Sequence, residues 1–120
     1  MIRKIYCIYH NADFDGIGSA AIVNYYHKEL GEKTAVYGWN YGQKIPDYNE
    51  FDENGLVYMV DVMLPKEDIV KLIKKFGDNF IFIDHHTSSK EDLKDLKFNS
   101  HINTEKAAIE NCWDYFYPHL

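Results

Sequence analysis

Short, almost wholly apolar runs punctuate the chain at residues 5–9, 56–60 and 80–83. They are too short for helices and lack the alternation of a half-wetted sheet, so they predict strands buried on both faces, as in a parallel sheet. Residues 34–39 and 98–102 carry weaker versions of the same signal. Between these runs the pattern turns helical. Residues 16–30 are rich in Ala, Ile and Tyr, with Lys28 in the last turn and Gly31 placed to cap the end. Pro65 suits a first helical position; Glu67 and Asp68 follow in the first turn, Lys71, Lys74 and Lys75 come late, and Gly77 lies beyond. The apolar positions Ile69, Leu72, Ile73 and Phe76 of that helix repeat at i, i+3, i+4, i+7. Ser88 and Glu91 have capping-box spacing for a short helix. A last helix starts near Thr104, buries Ile109, Cys112, Trp113 and Phe116, and stops before Pro118. This alternation predicts an α/β fold of three layers: an open, mostly parallel sheet of about five strands with helices on both faces.

Composition is even from end to end, without repeats or low-complexity tracts, and 120 residues suit one domain spanning 1–120. Cys7 and Cys112 sit in apolar stretches and form no spaced framework, which fits a reducing, cytoplasmic setting better than a disulfide scaffold or zinc ribbon. No apolar run reaches the ~20 residues of a membrane span, and residues 1–10 are too short and wrongly flanked for a signal peptide. A soluble protein with no membrane association is the expectation. The formal charge of −6 offers no basic field for long duplex nucleic acid. An anionic ligand would therefore need local positive charge, such as bound metal.

The candidate chemistry gathers where the confident strands end. His10, Asp13 and Asp15 follow the first, Asp61 the third, and Asp84, His85 and His86 the fourth. In a parallel sheet these clusters share the carboxyl edge, where open α/β folds bind ligands. Carboxylates and imidazoles without thiolates favour Mn²⁺, Mg²⁺ or Fe²⁺ over structural zinc, with Co²⁺ also accommodated. Two cations roughly 3.5–4 Å apart can bind a phosphate oxygen and acidify a water for in-line displacement. Gly16 and Gly18 open the helix after Asp15, where a phosphate can approach the backbone closely.

The segment His10-Asn11-Ala12-Asp13-Phe14-Asp15-Gly16, the strand ending in Asp61, and Ile83-Asp84-His85-His86 resemble the first three motifs of the DHH phosphoesterase superfamily. The loop Asn40-Tyr41-Gly42-Gln43 through Pro46 is similar to one in some members. The resemblance implies a Rossmann-like domain and up to two metal ions, Mn²⁺ above all. It implies that His10, Asp13 and Asp61 hold one ion and Asp15, Asp61 and His85 the other, with Asp61 bridging. Asp84 would orient ligands and His86 would contact the substrate phosphate, these two forming the catalytic pair, with Gly16, Gly18 and His86 binding substrate. The family's fourth motif, a further metal-binding Asp, and its C-terminal substrate-binding domain have no counterpart within residues 1–120.

The expected function is metal-dependent hydrolysis of phosphoesters in short oligonucleotides, cyclic dinucleotides or other small nucleotides. The alternative is a shortened, non-catalytic domain that binds metal or nucleotide, or acts through a protein partner; a homo-oligomer fits either. Asp13-Phe14-Asp15-Gly16 also resembles the nucleophile loop of haloacid-dehalogenase-like phosphatases. That reading expects Thr or Val at Ile17, places Phe82 where a second loop Asp belongs, and leaves Asp84-His85-His86 unexplained. His27 and His119 read as surface residues, His101 as structural or a stand-in for the missing Asp, and the Lys71–Lys75 region as a solvated helix end. Trp39 and Tyr41 are candidates for lining the cleft.

Overall fold

The architecture is seen in a computed structural model whose described residues are 3–120; Met1 and Ile2, which open the segment weighed as a signal peptide, lie outside them. Five strands form one sheet: β1 (Ile5–His10), β2 (Thr34–Trp39), β3 (Leu56–Val60), β4 (Phe80–Asp84) and β5 (Asn99–Ile102). Their order is β2-β1-β3-β4-β5 and every pairing is parallel. The helices are α1 (Phe14–Glu29), α2 (Lys66–Phe76), α3 (Thr87–Asp92) and α4 (Ala108–Phe116).

Strand pleating divides the apolar runs between two cores. Ile5, Cys7, Leu56, Tyr58, Val60, Ile81 and Ile83 face α1 and α4, meeting Ala20, Val23, Cys112 and Phe116. Tyr6, Ile8, Val57, Met59, Phe80 and Phe82 face the other way, toward Ile69, Leu72 and Phe76 of α2 and Leu93 beyond α3. β3 and β4 are buried at every position, which is why they lack alternation in the sequence. The expected layered α/β fold with helices on both faces is present, and it is Rossmann-like.

Several local expectations need correction. The carboxylate of Asp13 accepts from the Gly16 N–H at 2.9 Å, so α1 starts at Phe14, two residues early. β5 begins at Asn99 because the Phe98 ring leaves to stack on Phe80 and Phe82, at 5.9 and 6.3 Å. The Ser88 cap does not form: α3 already begins at Thr87. Residues 104–106 are not helical, for the side chain of Asn103 accepts from the Glu105 N–H in a tight turn and α4 starts only at Ala108. The buried stripe of α4 is Ala108, Asn111, Cys112 and Phe116, leaving Ile109 and Trp113 substantially exposed.

His27 is not a surface residue; it is 1% exposed, with Nδ1 2.8 Å from Glu32 Oε1 and Nε2 2.8 Å from the Tyr58 hydroxyl. Arg3 clamps Glu32 with two hydrogen bonds, and burial holds the His27 pKa below its usual value. Lys75 is tied down rather than solvated, donating to the carbonyls of Tyr48 and Asn49. His119 is exposed as expected.

Candidate metal centre

Strand order decides where a ligand can enter. From β1 the chain goes to β2 on one side and to β3, β4 and β5 on the other, so the sheet's direction of growth reverses between β1 and β3. At such a switch point the flanking connections diverge and leave a crevice above the carboxyl ends. His10 ends β1 and Asp61 follows β3, one on each side of that crevice, while Asp84 ends β4 next door.

Asp61 is the centre of the arrangement. Its φ of +58° makes it the one non-glycine residue in the left-handed region among the described residues, and its N–H still extends the ladder to the Ile83 carbonyl at 3.0 Å. A short polar side chain tolerates that conformation better than most. The residue is 2% exposed, and burial, followed by the charges of Asp15, Asp13 and Asp84, pushes its pKa up to about 6. Its Oδ1 lies 3.1 Å from His85 Nε2, which in turn lies 3.2 Å from Asp15 Oδ2.

His10 faces Asp61 across the crevice. Its Nε2 lies 3.0 Å from Asn40 Oδ1, an acceptor, which is the geometry for an Nε2–H donor, while Nδ1 has no hydrogen-bond partner. Nδ1 points toward Asp13 Oδ2 at 3.4 Å and Asp61 Oδ2 at 3.7 Å. The Gly16 N–H, first among the causes, keeps the Asp13 carboxyl below its usual pKa. Asp84 Oδ1 holds His86 Nδ1 at 2.9 Å, and the rings of His85 and His86 lie 4.3 Å apart.

Four buried side-chain polar atoms among the described residues have no hydrogen-bond partner, and three are here: His10 Nδ1, Asp61 Oδ2 and Asp84 Oδ2. Orphaned acceptors cost free energy, and their convergence with two negative charges fits a divalent cation. One ligand atom from each of His10, Asp13 and Asp61 fall within 4.8 Å of one another, as do one from each of Asp61, Asp84, His85 and His86. These residues can hold metal ions in two groups that share Asp61.

Asp15 departs from this pattern. Its Oδ2 accepts from the Ala108 N–H at 3.0 Å and its Oδ1 from the Ile109 N–H at 2.8 Å, so the carboxylate caps α4, whose own N-cap residue is Ala107. Sequence reasoning missed this role because the two partners are more than ninety residues apart. It also missed Asn40, which fixes the His10 ring, and buried Asn111, which donates to the carbonyls of Asp84 and Asn103 and so joins β4 to the turn before α4.

Gly16 and Gly18 are closely packed. A side chain at Gly16 would collide with the His10 carbonyl, and one at Gly18 with the Ile109 side chain of α4. Tyr41 stands beside the cluster, its ring 6.1 Å from that of His10, whereas Trp39 is buried and donates to the Gln43 carbonyl at 3.1 Å. His101 belongs to neither ligand group; it sits in β5 with Nε2 2.6 Å from Asn99 Oδ1 and its ring against Tyr115.

The chain matches the family described as DHH family, N-terminal domain, over residues 4–115. An uncharacterized protein of Acanthamoeba polyphaga mimivirus is 28% identical across 92% of this chain. The chain spans 28% of that relative's length. No solved structure matches.

Proposed function

The chain belongs to the DHH family, as an N-terminal domain of that family, and from this premise we propose that it is a metal-dependent phosphoester hydrolase. Short oligonucleotides, cyclic dinucleotides or other small phosphorylated nucleotides are its substrates, and Mn²⁺ is its preferred ion, at two positions. The observation that carries this reading is the convergence of three strand ends on three buried, partnerless acceptor atoms. His10, Asp13 and Asp61 hold one ion; Asp61 and His85, with Asp15 or Asp84, hold the other. Divalent ions bound there supply Lewis acidity toward a phosphoryl oxygen and toward water.

The protein groups around them do the positioning. Asn40 fixes the tautomer that frees His10 Nδ1 as a ligand. Asp84 orients His86 through Nδ1, which leaves Nε2 free to face a phosphate oxygen. The His86 side chain is 43% exposed, so a substrate can reach it.

One observation favours the second reading, a domain that binds metal or nucleotide without turnover. Both Asp15 oxygens are engaged by α4 amides, which weakens that carboxylate as a ligand. Calorimetry with Mn²⁺ on wild type and Asp61→Asn, followed by dinucleotide hydrolysis, tests both readings. Ion binding by wild type alone, with turnover, supports the hydrolase; ion binding without turnover supports the binder. Equal binding by both proteins removes the metal centre from either.

A further inference from the structure

Two carboxylates compete for the place beside Asp61 and His85 at the second ion position. Asp15 brings its Oδ2 to 3.2 Å from His85 Nε2. Asp84 offers an oxygen within 4.8 Å of one ligand atom from each of Asp61, His85 and His86, a group to which Asp15 does not belong.

Their surroundings differ. Asp15 already has donors on both oxygens, the amides of Ala108 and Ile109 at the start of α4. An ion that drew this carboxylate away would leave two helix N–H groups without a partner, and Ala107 has no side-chain acceptor to replace it. Nor can the start of α1 shift freely to serve both, since Gly18 leaves no room against the Ile109 side chain.

Asp84 has an oxygen to give. The residue is wholly buried; Oδ1 meets His86 Nδ1 at 2.9 Å, and Oδ2 has no partner. Its backbone is pinned, for its carbonyl accepts from the Asn103 N–H at 3.2 Å and from Asn111 Nδ2 at 3.1 Å. Register sets it next to Asp61: Val60 pairs with Ile83, and the Asp61 N–H reaches the Ile83 carbonyl at 3.0 Å. Binding a cation through Asp84 therefore relieves an orphaned acceptor, whereas binding it through Asp15 creates two orphaned donors.

Resting on the hydrolase reading above, we infer that Asp84, and not Asp15, is the carboxylate that joins Asp61 and His85 around the second ion, and that Asp15 is kept for holding α4. This reverses the roles that the family resemblance implies, in which Asp15 ligates and Asp84 orients. The second ion then depends on residues that end or follow β3 and β4, and on none from α1.

The test counts bound Mn²⁺ by calorimetry and by the loss of the free-ion EPR signal, for wild type, Asp15→Asn, Asp84→Asn, Asp84→Glu and His86→Ala. Wild type should bind two ions. Asp15→Asn and His86→Ala should keep both, weakening the second by no more than about tenfold, whereas Asp84→Asn should weaken it by more than about a hundredfold and leave the first in place. Loss of the second ion in Asp15→Asn overturns the inference, as does its retention in Asp84→Asn. An equal loss in His86→Ala overturns it too, because a purely orienting role of Asp84 would pass through that ring. If Asp84→Asn does not fold, Asp84→Glu decides: it moves the carboxylate without removing the charge, and an unchanged second affinity overturns the inference. A wild type that binds a single ion overturns this assignment alone, and one that binds none overturns the hydrolase reading with it.

Discussion

Asp61 concentrates features that each destabilise a metal-free chain: a left-handed backbone, a buried carboxylate and three neighbouring negative charges. Its pKa is raised from 3.8 to about 6, so between about pH 4 and 6 the folded state binds more protons than the unfolded one. Stability contributed by the protonated group is therefore present at low pH and is lost as pH rises through 6. Asparagine keeps the shape and the tolerance of positive φ while removing the charge. Asp61→Asn should stabilise the chelated protein at pH 7 by on the order of 1–3 kcal/mol and abolish stabilisation by Mn²⁺. Thermal unfolding with chelator and with Mn²⁺ checks both, and a chelated variant less stable than wild type would remove the electrostatic account. His27 carries the opposite sign. Its pKa is lowered from 6.5 by burial, so its contribution is complete above pH 6.5 and declines as pH falls below that value. In the Asp61→Asn background, where the opposing titration is gone, unfolding should become easier from pH 7 to pH 5. A Gln at position 27, which keeps the polar contacts without titrating, should flatten that slope.

Among the elements, α4 depends on a residue outside itself. Asp15 accepts from its first two amides, whereas Ala107 has no side-chain acceptor to offer. Asp15→Ala should cost about 1–2 kcal/mol in urea unfolding even with chelator present, because the cap is lost whether or not metal is bound. Because Asp15 also repels Asp61, the comparison is made in the Asp61→Asn background, where an unchanged midpoint would show that the cap contributes nothing. The same dependence explains which elements were legible in the sequence. β3 and β4 were readable because burial on both faces writes itself as an unbroken apolar run, and α2 because one face only is buried. The start of α4 was not, since its cap is supplied from the far end of the chain and no local residue signals it. His27 looked like a surface residue because Tyr58, which satisfies its Nε2, lies on β3. The ligand clusters after β1, β3 and β4 could be read as strand-end polar residues, but strand order, which places the crevice between β1 and β3, is written in no local pattern. Nor is the left-handed turn at Asp61.

For the whole molecule, the candidate ligands come from three strand ends that meet only when the sheet is assembled. An unfolded chain has no such site, so metal binding adds directly to global stability. With free Mn²⁺ about a hundredfold above its dissociation constant the gain is about 2.7 kcal/mol, which for a chain of this size raises Tm by on the order of 10 °C. A scan showing no rise at saturating Mn²⁺ would place any binding outside the native crevice. No helix among the described residues is long and apolar enough to cross a membrane, and an apolar core lies on either side of the sheet. Within one of those cores, Cys7 and Cys112 are both fully buried, and burial raises both thiol pKa values, that of Cys112 to about 12. The thiolate is the form that attacks a disulfide reagent, and burial here both disfavours and hides it. The pair therefore works as a built-in clock: the rate at which a chromogenic disulfide labels them reads out how often the α1 and α4 layer lifts from the sheet. Mn²⁺ that acts by closing the native state should slow that clock, without any dye, tag or added cysteine.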